Sequence, residues 1–278
     1  MAILSIQSNV ISGHVGNAAI TLPLQRLGFE VWPVDTVRFS NHPAHGSYTG
    51  QITPACEITA LIDGIEQRAL LQSCTAILSG YLGSAKNGRI IAEIVDRIKA
   101  INKRALFLCD PVMGDNGQPY VEKDILTFFK EKIAASADIL TPNNYEASIL
   151  IGEPVDTKQK ALKALSILRA KGIKVAIITG IETNRSIQTV ARDEIGTWSV
   201  STPKIQVASS GAGDLFSALF LARYLDRNST PHALSYAIST VYGVLGVAQE
   251  LSAPDLPIVA AQELILSPQT YFPAESIT

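Results

Sequence analysis

The residues of this chain best suited to chemistry are Gly211-Ala212-Gly213-Asp214, directly ahead of the apolar run Leu215-Phe216-Ser217-Ala218-Leu219-Phe220. The run reads as a helix, and the glycines as its start. Glycine there lets the backbone approach a ligand closely. The free N–H groups and the dipole of a helix N-terminus favour an anion, such as a phosphoryl group in transfer. A carboxylate in that first turn, Asp214, is placed to take a proton from a hydroxyl nucleophile. The same position also suits an acid that merely complements the helix dipole, and these residues alone weigh the two readings evenly.

Other acids sit at comparable places. In Cys109-Asp110-Pro111-Val112-Met113-Gly114-Asp115, Asp110 ends a buried apolar run, and the proline that follows stops the ladder. Paired carboxylates near phosphates suit Mg²⁺, which keeps several waters and binds through one or two acids. For Asp115 a polar turn, Gly114-Asp115-Asn116-Gly117, is the stronger alternative. In Thr141-Pro142-Asn143-Asn144-Tyr145-Glu146, the N-x-x-E spacing puts Glu146 one turn into a helix, where it could organise metal-bound water. An ordinary capping box, Asn143 with Glu146, is favoured over catalysis there. Ser8 follows the first apolar run, ready to hydrogen-bond a polar substrate or simply to cap a loop. Phe39-Ser40-Asn41-His42-Pro43-Ala44-His45-Gly46 is too irregular for helix or strand and reads as a loop over a site; its histidines have no third ligand nearby in sequence. The chain has no G-x-x-x-x-G-K-[ST] loop, no G-x-G-x-x-G after a strand, no G-x-S-x-G elbow and no H-R-D set. That argues against a P-loop NTPase, a dinucleotide dehydrogenase, a common hydrolase and a protein kinase.

These residues need a scaffold that brings strand ends together. Strands are expected at 3–7, 30–35, 76–79, 105–110, 139–141 and 175–179, and the first, fourth and sixth are the continuous apolar runs of strands covered on both faces. Helices are expected at 17–27, 56–71, 86–101, 144–151 and 156–171. This alternation predicts an α/β fold, an α/β/α sandwich around an open, mostly parallel sheet. An antiparallel pair at 187–191 and 195–200 forms its edge, turning at Arg192-Asp193-Glu194, and apolar helices follow at 211–225 and 231–251. Ligands bind such sheets beyond the carboxyl ends of the strands. The residues expected just past those ends are Ser8-Asn9, Phe39-Ser40-Asn41-His42, Gly80-Tyr81, Asp110-Pro111, Thr141-Pro142-Asn143 and Thr179-Gly180.

The bulk composition agrees. The chain has 278 residues, 47% of them hydrophobic and 17% charged, with a net charge of −2 and the signs mixed. No basic run tracks a nucleic-acid backbone. With no linker, low-complexity stretch or repeat, one domain over 1–278 is expected. The three cysteines, Cys56, Cys74 and Cys109, form no CxxC pair, so free thiols and a cytoplasmic setting are expected. The opening run Ala2-Ile3-Leu4-Ser5-Ile6 reads as a strand and not as a signal peptide. The stretch 233–247 is broken by Ser235, Ser239, Thr240 and Gly243 and reads as a core helix, with no membrane span expected.

Together these segments resemble the pyridoxal kinases of the ribokinase-like superfamily, nearly over the whole length. The resemblance runs through Gln7-Ser8, Gly13-His14-Val15-Gly16-Asn17, Pro23-Leu24-Gln25-Arg26-Leu27-Gly28-Phe29, Phe39-Ser40-Asn41-His42 and Ser79-Gly80-Tyr81. It continues through Asp110 to Asp115, Thr141-Pro142-Asn143 with Glu146, and Gly211 to Phe216. It implies transfer of the ATP γ-phosphoryl group to the 5′-hydroxymethyl group of pyridoxal, with Asp214 as base and the amides of Gly211, Ala212 and Gly213 holding the developing charge. It implies Mg²⁺ through Asp115 and Glu146. It further implies a phosphate and monovalent-cation site, usually K⁺, at Asp110, Thr141 and Thr179, and a nucleotide edge at Thr202, Pro203, Lys204 and Ile205. Ser8 would contact the pyridine ring, with Val37, Phe39 and Tyr81 around it and Pro43 and Ala44 in the adjoining loop. A homodimer is also implied. The pattern departs at Pro43, where many members carry Thr, so that a hydroxyl and a backbone donor are both lost. The related pyrimidine kinases carry Cys where this chain has Asp214, which favours the pyridoxal branch. The alternatives are a hydroxymethylpyrimidine or other small-alcohol kinase, and a non-catalytic binder of B6 vitamers.

Overall fold

The computed structural model describes residues 1–115, 117–133, 136–207 and 209–277. The apolar run at the start becomes β1 (Ala2–Val10) and lies deep in a ten-stranded sheet. Its residues alternate between faces: Leu4 and Ile6 enter one core cluster and Ile3 the other. β1 pairs in parallel with β2 (Glu30–Phe39) on one side and β4 (Cys74–Ser79) on the other. β5 (Leu106–Cys109), β8 (Ile139–Leu140) and β9 (Val175–Glu182) extend the parallel part outward from β4. Antiparallel strands finish both edges: β3 (Gly50–Ile52) beside β2, and β10 (Ser186–Arg192), β11 (Thr197–Pro203) and β12 (Glu275–Ser276) beyond β9. A separate hairpin pairs β6 (Gly114–Asp115) with β7 (Gln118–Pro119).

Helices cover both faces. On one, α2 (Ala55–Gln67), α3 (Ala85–Ile101), α5 (Asn144–Ile151) and α6 (Lys158–Ala170) bury Ile58, Ile94, Leu150 and Leu165, together with Ile125 of the short α4 (Lys123–Phe128). On the other, α1 (Asn17–Arg26), α7 (Ala212–Arg227) and α8 (Thr230–Leu251) bury Leu24, Leu219 and Leu234, with Ile265 of α9 (Gln262–Leu266). Each such side chain contributes roughly 1.5–3 kcal/mol of burial. Among the described residues no helix is long and apolar enough to cross a membrane, and α8 is the core helix expected of 233–247. The cysteines of the described chain are free, with Cys74 and Cys109 buried and Cys56 exposed.

Some expected boundaries move. The helix expected over 56–71 stops at Gln67, because Ala69 takes φ +57° and a 3₁₀ turn (Leu70–Ser73) follows. β1 and β2 run on to Val10 and Phe39, so Ser8 and Phe39 lie inside strands rather than just past them. A register shift falls at Ser8. Gln7 faces Asp35 and Asn9 faces Arg38, a bulge of the sort that re-aims side chains beside ligand sites. Thr179 likewise lies inside β9, and Thr202 and Pro203 close the longer strand β11.

One buried carboxylate fastens the amino end of the sheet. Asp138, just before β8, accepts the Phe107 N–H at 2.8 Å and lies 2.8 Å from Lys99 Nζ and 2.9 Å from Lys174 Nζ. It links α3, β5 and the approach to β9. Burial pushes its pKa up, but these partners outweigh burial and hold it below the ordinary value.

Candidate active site

The carboxyl ends of the parallel strands meet the N-terminus of α7. Gly211 caps that helix at φ +94°, and a Cβ there would stand 2.3 Å from the His14 carbonyl oxygen. Only glycine allows this turn to sit directly on the loop after β1. Gly16, at the start of α1, has φ +54°, and a Cβ would stand 2.1 Å from the Ser8 carbonyl oxygen and 2.4 Å from Ser8 Oγ. Its N–H therefore comes close enough to donate to Asp214 Oδ2 at 2.9 Å. Ser8, Gly16 and Asp214 are thus stacked in one place from distant parts of the chain. The protein mass around Asp214 raises its pKa to about 6, and the Gly16 hydrogen bond only partly opposes this. Gly213 beside it is exposed, so its backbone is open to an incoming group.

Asp110 follows β5 and is buried. Its Oδ2 accepts the Ser217 hydroxyl at 2.9 Å, and Ser217 Oγ lies 2.9 Å from Thr141 Oγ1. The ends of β5 and β8 are tied to α7 one turn past Asp214. Burial, followed by the charge of Asp214, raises the Asp110 pKa. Glu146 is buried as well, and the capping box of α5 is complete: Asn143 Oδ1 accepts the Glu146 N–H at 2.8 Å, and Glu146 Oε2 accepts the Asn143 N–H at 2.8 Å. Its other oxygen accepts the Met113 N–H at 2.9 Å. The capping favoured by the sequence is therefore made in full. Even so, burial and the charge of Asp110 hold the Glu146 pKa well above its ordinary value, against those backbone donors. Asp110 is the middle member of an acidic row that runs from Asp214 to Glu146.

Asp115 stands in the β6–β7 hairpin, whose Gly114 carbonyl accepts Asn143 Nδ2 at 2.8 Å. Asn116 of the expected turn lies outside the described residues. Tyr120 comes close to this group, since burial and then the charges of Asp115 and Glu146 raise its hydroxyl pKa. Among the described residues no three His, Cys, Asp or Glu side chains form a ready-made metal cage. The donors present are hard carboxylate oxygens whose mutual repulsion a cation would relieve, which suits an ion held partly by phosphates and water.

On the β2 side, Val37 is buried and Phe39 packs its ring 4.8 Å from that of Tyr48. The Tyr81 carbonyl accepts the Thr36 hydroxyl at 2.6 Å, and burial followed by Tyr48 raises the Tyr81 hydroxyl. Phe39 and Tyr48 therefore form an aromatic pair, with the Tyr81 hydroxyl near that of Tyr48. Pro43 opens a 3₁₀ turn (Pro43–His45), a position where its fixed φ fits and its missing N–H is no loss. The Ala44 N–H is taken by His42 Nδ1 at 3.3 Å. On the β9 side, Thr179 bridges to Asn143, and its N–H donates to the Pro142 carbonyl at 3.0 Å. β11 runs parallel to β9, with β10 antiparallel between them, so Thr202, Pro203, Lys204 and Ile205 reach the same edge of the sheet. There Lys204 pairs with Glu182 at 2.6 Å.

The sequence reading missed Gly16 N–H, Ser217, Tyr48 and Tyr120 as members of this region. Ser217 carried a usable signal, since it lies one helical turn beyond Asp214 on the same face. The Gly16 contact carried none, because it joins residues 198 positions apart.

The family model described as phosphomethylpyrimidine kinase matches residues 61–257. Pyridoxal kinase PdxY of Rubrobacter xylanophilus is 40% identical, with 99% of this chain and 97% of that protein covered. Pyridoxal kinase PdxY of Corynebacterium diphtheriae is 37% identical, with 100% of both covered. Among solved structures, pyridoxal kinase from Leishmania donovani in complex with ADP and pyridoxamine matches with a TM-score of 0.93 at 27% identity, covering 100% of this chain and 99% of that one. Pyridoxal kinase from Entamoeba histolytica matches with a TM-score of 0.94 at 28% identity, covering 99% of each. Matched along its whole length to these relatives and built on their fold, the chain belongs to the pyridoxal kinase family.

Proposed function

We propose that the chain transfers the γ-phosphoryl group of ATP to the 5′-hydroxyl of pyridoxal, giving pyridoxal 5′-phosphate and ADP. Pyridoxine and pyridoxamine carry the same hydroxymethyl group and belong to its substrate range. The observation that carries this reading is the Asp214 carboxylate, held by Gly16 N–H in the first turn of α7 with a pKa of about 6. Such a group is ionised near neutral pH and basic enough to take a proton. In the proposed step the substrate hydroxyl gives its proton to Asp214 while its oxygen bonds to the γ-phosphorus. The bond from that phosphorus to the bridging oxygen breaks, and ADP leaves. The amides of Gly211, Ala212 and Gly213 hold the charge on the transferring group. Catalysis of this type is mainly positioning and charge stabilisation.

Ser8, Val37, Phe39 and Tyr81 orient the pyridine ring, with Pro43 and Ala44 in the loop beside it. Asp110, Thr141, Thr179 and the edge Thr202–Pro203–Lys204–Ile205 flank the nucleotide. Asp115 and Glu146 would hold Mg²⁺, chiefly through its water in the case of Glu146, whose oxygens already serve backbone donors. Asp110, Thr141 and Thr179 would line a K⁺ site. When bound, such cations offset phosphate charge. One ribokinase-like domain spans the chain, acting as a homodimer, and its free thiols fit the cytoplasm.

A coupled ADP-release assay with pyridoxal, pyridoxine, pyridoxamine and hydroxymethylpyrimidine, omitting Mg²⁺ and K⁺ in turn, tests the proposal. Turnover of the B6 vitamers, lost without Mg²⁺ and weakened without K⁺, is expected. A preference for the pyrimidine alcohol, or tight vitamer binding without ADP release, would overturn it.

A further inference from the structure

Asp255 lies after α8 and pairs with Ser210, the residue just before the turn that caps α7. Gly13 of the loop after β1 packs against its carboxylate, where a Cβ would stand 2.8 Å from Oδ1. That oxygen is buried and has no hydrogen-bond partner among the described residues. Facing it is His45, in the 3₁₀ turn beside Pro43 and Ala44, with Nε2 3.7 Å away. That separation is too long for a hydrogen bond and short enough to become one with a small inward movement of the loop. A second contact runs alongside: His42 Nδ1 is 3.5 Å from Ser210 Oγ, and the His42 and His45 rings lie 5.9 Å apart. Burial, then the charge of His45, lowers the His42 pKa against the pull of Asp255. His42 is thereby kept neutral, which leaves Nδ1 free to accept from Ala44 N–H or Ser210.

A buried carboxylate oxygen without a donor is costly, and the fold leaves this one aimed at the substrate loop. We propose that Asp255 and His45 form a clasp that closes when a vitamer enters, drawing the 42–45 turn onto the approach to Gly211. Asp255 and His45 are then positioning residues. They touch no reacting atom and act by setting the loop against the bound ring. The proposal rests on the substrate assignment above for its kinetic test, and on vitamer binding without turnover for its structural test.

The kinetic test is a double-mutant cycle with Asp255→Asn and His45→Gln. Each single variant is expected to raise KM for pyridoxal about five-fold, with kcat and KM for ATP within about two-fold of the parent. The double variant is expected to be no worse than either single. An unchanged KM for pyridoxal, effects that multiply in the double variant, or a fall in kcat alone would overturn the clasp. The structural test is amide hydrogen exchange over residues 40–47 of the full chain with and without saturating pyridoxal. Protection on adding pyridoxal in the parent that is lost in Asp255→Asn supports the tether even if no vitamer is turned over, and equal protection in the two contradicts it.

Discussion

Two ends of the same sheet treat their carboxylates in opposite ways. Before β8, Asp138 is met by Lys99, Lys174 and the Phe107 N–H, and its pKa falls. At the other end of the sheet, Asp110, Glu146 and Asp214 make no ion pair among the described residues, and all three pKa values rise. The fold can therefore supply cations to a buried acid and does so where the acid fastens the scaffold. At the carboxyl edge it supplies hydroxyls and backbone N–H groups instead. Such partners orient an acid without neutralising it, so the remaining demand for positive charge, or for a proton, is left to the ligands. A purely structural role for these acids would leave that difference unexplained.

The largest expected effect is at Asp214. Asp214→Ala should lower kcat about 10³-fold while ATP binding, read by calorimetry, changes little. Near-normal phosphorylation would place the base elsewhere. At the opposite end, Asp138→Ala should cost about 2–3 kcal/mol of stability in a denaturant titration, because it removes a buried hub of hydrogen bonds and takes the carboxylate from Lys99 and Lys174. The pH dependence has a definite sign. The folded pKa of Asp138 is depressed, so its contribution is present above the unfolded carboxylate value and is lost as pH falls through the folded one.

Asp110 should behave in reverse. Its folded pKa is raised, so folding is most favoured below the unfolded value and stability is lost as pH rises through the folded one. Asp110→Asn should therefore stabilise the ligand-free protein at neutral pH by on the order of 1 kcal/mol in a denaturant titration, and hardly at about pH 4. The same variant should weaken nucleotide turnover. Destabilisation by Asp110→Asn at neutral pH would mean that the contrast between the two ends is misdrawn. The smallest effect is expected from Asn143→Ala, which breaks the capping box but leaves the acidic row in place. It should cost about 1 kcal/mol, with catalysis reduced far less than by Asp214→Ala.

Much of this was legible in the sequence because it follows from local rules. Apolar runs covered on both faces gave the parallel strands, and the bounds of α5 match 144–151 residue for residue. The candidate acids were visible because each ends a strand or starts a helix. What stayed hidden depends on tertiary approach. Gly50-Gln51-Ile52 forms an exposed edge strand with no apolar periodicity, and α9 is too short to declare itself. Ser8 was placed past its strand because the bulge that aims it belongs to the pairing with β2 and not to either segment alone. Likewise nothing near Gly16 announces Asp214, and nothing near His45 announces Asp255.

The most direct test of the account is the pH profile of kcat/KM for pyridoxal in the parent enzyme. With Asp214 as the base, ionised above a pKa of about 6, kcat/KM should be low under acid conditions and rise through about pH 6 to a plateau. A profile that stays flat from about pH 5 to 8, or that falls as pH rises through that range, would contradict proton transfer to Asp214.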